Sequence, residues 1–123
     1  MGYLASSYRD LVVWQKSMEL TAEVYRLARK LPKEETYALS DQIRRSAVSV
    51  PSNIAEGQDR NSSRVFSYFL NVARGSRAEL ETQLLICLKI GYLTESDVAV
   101  AMALLNEIGK MLTTLISKLK TEN

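Results

Sequence analysis

Between residues 42 and 56, five polar side chains recur at steps of four, three, four and three: Gln42, Ser46, Ser49, Asn53 and Glu56. On a helix that spacing places them on one face. Ser76, Glu79 and Gln83 follow at matching steps further on. Such groups serve either as a plain solvated face or as an interhelical hydrogen-bond network beside a wet groove. Solvated positions of this chain carry Lys, Arg and Glu, as at Arg26, Arg29 and Lys30. A stripe of Ser, Gln and Asn therefore reads as the network, in which each buried member needs a partner. Arg44 or Arg45 is then expected to pair with Glu56 or Glu79, a structural rather than catalytic role. A second chemistry lies in the arginines. Arg60, Arg64, Arg74 and Arg77 have no acidic residue among them between Asp59 and Glu79. Arginine suits bidentate phosphate contacts, so this run reads either as ordinary surface charge or as a polyanion-binding patch. Arg26, Arg29, Lys30 and Lys33 cluster at the end of the first apolar pattern, where they complement a helix dipole.

Much other chemistry is excluded. The chain has no histidine, which removes His-based acid–base catalysis, Ser-His-Asp and Cys-His arrangements, His-containing zinc sites and Glu-x-x-His di-iron sites. Its one cysteine, Cys87, cannot form an intrachain disulfide and falls at an apolar helical position. No phosphate-cradling glycine motif occurs. No catalytic residue, metal or cofactor is expected, and the chain reads as a non-enzyme. Sixteen basic and fourteen acidic residues give a net charge of +2, below what marks a nucleic-acid binder by itself. Basic residues are not interleaved with aromatics in the manner of single-strand binders. Apolar runs are short and broken by charge, so no bilayer span is expected. The opening M-G-Y-L-A-S-S-Y-R-D lacks the basic start and long apolar stretch of a secretory signal. These features together point to the cytoplasm.

The elements that must position these groups are helical. Of 123 residues 46% are hydrophobic, with only 5 Gly and 2 Pro to make turns, which favours a few long elements. Apolar residues at steps of three and four predict helices over about 8–31, 36–57, 62–90 and 95–120. In the first, Leu11, Trp14, Met18, Thr21, Tyr25 and Ala28 form one stripe, and Leu20, Val24, Leu27 and Leu31 a second. Leu39, Ile43, Ala47, Val50 and Ile54 line the second helix. Phe66, Phe69, Ala73, Ser76, Leu80, Leu84 and Cys87 line the third. The fourth opens on a capping-box pattern, Thr94 to Asp97, and carries Val98, Ala101, Leu105, Ile108, Leu112, Leu115 and Leu119.

Ser62 or Asn61 can cap the third helix, and Gly91 ends it. Pro51 should kink the second, freeing the Ala47 carbonyl for Ser46, Ser49 or a water. Gly57 suits the residue after its end. The small pair Gly75-Ser76 suits close approach of a neighbour. Short breaks force successive helices antiparallel. The expected fold is an all-α, up-down-up-down antiparallel four-helix bundle in a single domain over residues 1–123. The extra apolar stripes on the first and fourth helices (on the fourth, Leu104 with Met111, and Met102 and Gly109 with Ile116) go beyond what one bundle core needs; they read either as a thicker core or as a second buried face, and self-association is expected.

One block is more specific than this periodicity. Q-I-R-R-S-A at Gln42–Ala47 followed by S-V-P-S-N-I-A-E-G at Ser49–Gly57 closely resembles the signature of the bacterial four helix bundle proteins encoded in intervening sequences of 23S ribosomal RNA genes. Leu11-x-x-Trp14, Gly75-Ser76-x-x-Glu79 and Gly91-Tyr92-Leu93 fit as well, so the resemblance spans nearly the whole chain. The family looks related to the accessory proteins of diversity-generating retroelements, which are basic-surfaced homopentamers that bind RNA and a reverse transcriptase. The resemblance thus implies a homopentamer with an RNA-binding or ribonucleoprotein accessory role. By motif it carries over only Arg44 and Arg45 as candidate RNA contacts; Arg60, Arg64, Arg74 and Arg77 rest on charge alone. The competing expectation is an oligomeric scaffold for a protein partner, with no nucleic-acid role.

Overall fold

Apolar stripes of period three and four become four α-helices in the computed structural model, which describes residues 7–122. The reading of the N-terminal ten residues therefore lies mostly outside the described residues. Helix α1 spans Val12–Ala28, α2 Leu39–Asp59, α3 Ser63–Ile90 and α4 Glu95–Glu122, with single 3-10 turns at Tyr8–Asp10 and Lys33–Glu35. Packing joins α1 to α2, α2 to α3, α3 to α4 and α4 back to α1, while the diagonal pairs stay apart. The expected all-α, up-down-up-down bundle is the fold, and one apolar core runs along its axis.

Helix α1 begins four residues later than the periodicity suggests. Ser7 caps the 3-10 turn, and Leu11 is extended (φ −77°, ψ 125°) before the α-helix starts. Its buried stripe is Val13, Ser17, Leu20, Val24 and Leu27, stepping 4-3-4-3. The other stripe flanks it: Met18 remains 46% exposed and Tyr25 41%, and Trp14 packs edge-on against Tyr8 at 5.3 Å. Both stripes obey the helical period, so the sequence alone could not rank them.

Helix α2 starts at Leu39 rather than near 36. Glu35 accepts the Leu39 backbone N–H at 3.2 Å and the Tyr92 hydroxyl at 2.9 Å, so one carboxylate ties the start of α2 to the α3–α4 turn. That bond pushes the Tyr92 phenol above its ordinary range. Downstream, α2 continues unbroken through Pro51. Proline has no N–H to offer the Ala47 carbonyl one turn back. That carbonyl instead faces Thr21 of α1, whose hydroxyl lies 3.2 Å from it and 2.8 Å from the Ser17 carbonyl. The expected local rescue by Ser46 or Ser49 does not occur.

Gly57 is not the residue after the helix end. It lies inside α2, which runs on to Asp59, and the left-handed residue of the following turn is Asn61 (φ 56°). Gly57 instead lets α3 approach: a Cβ there would sit 2.6 Å from the Phe69 Cβ and 3.1 Å from the Phe66 ring. Gly75, expected at a close approach, has open space around it.

The other helix ends match their sequence signals. Ser62 caps α3 by accepting the Val65 N–H, and Gly91 ends it with φ 93°. Thr94 and Asp97 form a reciprocal capping box at 2.9 and 3.1 Å. Backbone hydrogen bonding from Thr94, with Lys30 at 2.9 Å, holds the Asp97 carboxyl down at about 2. By length and composition alone α4 could cross a membrane, since an 18-residue window within Glu95–Thr121 averages a hydropathy of 1.4. Charge breaks the run on paper, but Lys110 and Glu107 fall on the outer side. The apolar side, Val98, Ala101, Leu105, Ile108, Leu112 and Leu119, is the bundle's buried wall.

Candidate nucleic-acid interface

The polar stripe of α2 divides in two. Its middle is the expected interhelical network: Ser49 Oγ lies 2.8 Å from Ser76 Oγ of α3, and the Asn53 amide donates to the Ser49 carbonyl at 2.7 Å and its hydroxyl at 3.0 Å. Ser46 is buried beside it. The ends do not join. Gln42, Glu56 and Glu79 are exposed, and Glu56 pairs with Arg60 at 2.8 Å. Gln83 of α3 is buried, with its side-chain oxygen unpartnered. The network is a pin between α2 and α3 rather than a catalytic site.

The six candidate arginines also divide. Arg44 donates to the Thr36 carbonyl at 3.0 Å and lies 4.0 Å from Asp41, while Arg45 binds Asp41 at 2.9 Å. Neither meets Glu56 or Glu79, because a residue three or four places back on the same helix is nearer than one on another helix. Arg44 thus anchors the turn before α2. Arg60 pairs with Glu56 and rests over the Phe69 ring at 5.5 Å. Arg77 reaches forward to Glu81 at 3.5 Å. The apparent acid-free run of four arginines is therefore closed at both ends by carboxylates outside it. Arg64 and Arg74 have no carboxylate partner among the described residues. They share a stripe of α3 with the exposed Asn71 and the half-buried Ser67. Arg74 donates to the Asn71 amide oxygen at 2.9 Å, a neutral partner that leaves its charge uncompensated.

Packing of α3 against α4 adds what the sequence reading missed. Arg74 and Arg77 face Lys110 across a groove of about 560 Å³, with Asn106, Thr113 and Thr114 along the α4 side. No acidic residue lines it. Residues 106, 110, 113 and 114 share one face of α4, and their polar period was visible opposite the apolar rhythm. That this face meets the arginines of α3 depends on the bundle's order of neighbours. Gly109 completes the arrangement: lacking a Cβ, it leaves room for Arg77, whose Nε and Cζ lie 3.1 and 3.2 Å from where a Cβ would be. Arg77 then donates to the Leu105 carbonyl of α4 at 3.1 Å, and its Nε is enclosed without a partner. Among the described residues, no cluster of three or more His, Cys, Asp or Glu side chains is placed to hold a metal ion.

Comparison with known proteins places this architecture. The family model described as "23S rRNA-intervening sequence protein" matches residues 9–114. A crystal structure of a protein of unknown function from the S23 ribosomal protein family of Bacteroides thetaiotaomicron is 30% identical in sequence. It superposes with a TM-score of 0.79, covering 85% of this chain and 98% of that one. No curated protein matches the chain.

Proposed function

The chain belongs to the 23S rRNA-intervening sequence protein family, and from that premise we propose that it is a homo-oligomeric, non-enzymatic RNA-binding accessory protein of the bacterial cytoplasm. The observation that carries the reading is the α3–α4 face, where Arg74 and Lys110 stand without carboxylate partners among the described residues, with Arg64 also unpaired and exposed further up α3. On a chain of net charge +2, a face so biased favours a polyanion, with phosphate contacts dominating over base readout. Self-association is supported by the apolar stripe that flanks the buried one on α1, on which Met18 and Tyr25 stay over two-fifths exposed after the core is filled. The family resemblance suggests five copies. Assembly would repeat the basic face around an axis and turn modest affinity into avidity.

Light scattering with and without RNA tests both parts. The expected result is a mass of about five chains that rises on adding RNA at low salt. A monomer that ignores RNA at every salt concentration would remove the reading. An oligomer that ignores RNA but retains one protein partner after nuclease treatment would favour the scaffold alternative.

A further inference from the structure

We infer that the groove between α3 and α4 is a seat for the phosphodiester backbone of an RNA strand, with Arg74 and Lys110 as phosphate contacts and Arg77 as a positioning charge beneath them. The inference rests on the RNA reading above and narrows it to one site. At about 560 Å³ the groove exceeds a lone phosphate and suits a nucleotide-sized stretch of backbone. Three cations and three neutral hydrogen-bonding side chains line it, without a carboxylate. Arg74 is aimed but not saturated. Its Nη2 is held by Asn71 at 2.9 Å, while its Nη1 stands 3.5 Å from the Thr113 hydroxyl, at the edge of hydrogen-bonding distance. Both groups keep capacity for a phosphate oxygen placed between them.

Arg77 is the less ordinary part. Its side chain is only 18% exposed, yet its carboxylate partner is 3.5 Å away and its Nε is enclosed and unpaired. A guanidinium so poorly compensated at close range favours an anion above it. Gly109 makes this possible, since any side chain there would press on Arg77. No aromatic residue lines the groove, so bases have nothing to stack on and recognition is of backbone rather than sequence.

The test uses the full chain with two unrelated single-stranded RNAs, at about 50 and about 200 mM salt, and compares wild type with Lys110→Gln and Arg74→Gln/Lys110→Gln. Both residues are exposed, and circular dichroism checks that each variant folds. Lys33→Gln, on a turn before α2, serves as a control matched in charge to the single variant. Each lost phosphate contact should lower the salt slope by about 0.7, giving about 1.4 for the double variant, equally for both RNAs and with the control unchanged. A double variant that binds with the wild-type slope overturns the groove and leaves the RNA reading standing. A loss confined to one RNA overturns backbone recognition. A wild type that binds neither RNA overturns both readings. If pyrophosphate then still shifts amide resonances of the groove, the site takes small anions instead.

Discussion

A methyl group added at Gly57 would have to enter space held by the Phe69 Cβ, 2.6 Å away. That atom is fixed to the backbone, so α2 and α3 would have to part. Gly57→Ala should cost about 1–3 kcal/mol, seen as a lower urea midpoint at unchanged slope. Gly75→Ala should do the reverse. Nothing lies within 4 Å of its Cβ position, so the helix gains up to about 1 kcal/mol in propensity. Equal midpoints for the two variants would show that neighbouring side chains do not set the sign. Cys87 gives a third expectation at this scale. It is fully buried, and burial pushes its thiol up to about 11. Ellman's reagent at about pH 8, where an ordinary thiol is partly ionised, should find no thiol in the folded chain and one after denaturation. Residue roles were legible where the signal was periodic, as for Ser49, Asn53 and Ser76. They were illegible for the glycines, whose roles depend on which neighbour approaches them. That is why Gly57 takes the close approach expected of Gly75, which has open space instead.

At the scale of elements, the contact between Thr21 and the Ala47 carbonyl that Pro51 leaves without a backbone donor invites a double-mutant cycle. Thr21→Val keeps the shape but leaves the Ala47 carbonyl of α2 unpartnered, which should cost about 1–3 kcal/mol. In a Pro51→Ala background the carbonyl regains a backbone N–H, so the same substitution should cost much less. Equal costs in both backgrounds would detach the threonine from the proline. The start of α4 carries a pH signature. Folding holds the Asp97 carboxyl at about 2, below its ordinary 3.8. Its contribution is therefore present above about pH 4 and fades as pH falls towards about 2. The stability gap between wild type and Asp97→Asn, followed by urea unfolding, should narrow across that window. A gap constant with pH would exclude the ionised carboxylate as its source. Caps and helix existence were readable because they are local: Ser62, Gly91 and Thr94–Asp97 stand where their residue types place them. The partner of Ala47 was not, because it comes from another helix.

For the whole molecule, topology followed from short connections, and most of the core from the apolar stripes, though not which of the two on α1 is buried. What stayed hidden was which faces meet, and with it the groove where Arg74 and Arg77 oppose Lys110. Each seam of the ring carries a polar fastening: Thr21 to Ala47, Ser49 to Ser76, Arg77 to Leu105, and across α1–α4 the ion pairs Lys30–Asp97 and Lys16–Glu107. The last seam differs from the rest. It is the least extensive, and it joins the two helices furthest apart in sequence. Its fastenings are partly exposed charges, the kind that salt screens and that add little. If the ring yields below the temperature of global unfolding, it should part there, as a door hung on the α1–α2 turn. Hydrogen exchange would show this as amides of α1 exchanging ahead of those of α2 and α3, and faster still in high salt. Uniform exchange in all four helices would instead mark the bundle as one cooperative unit.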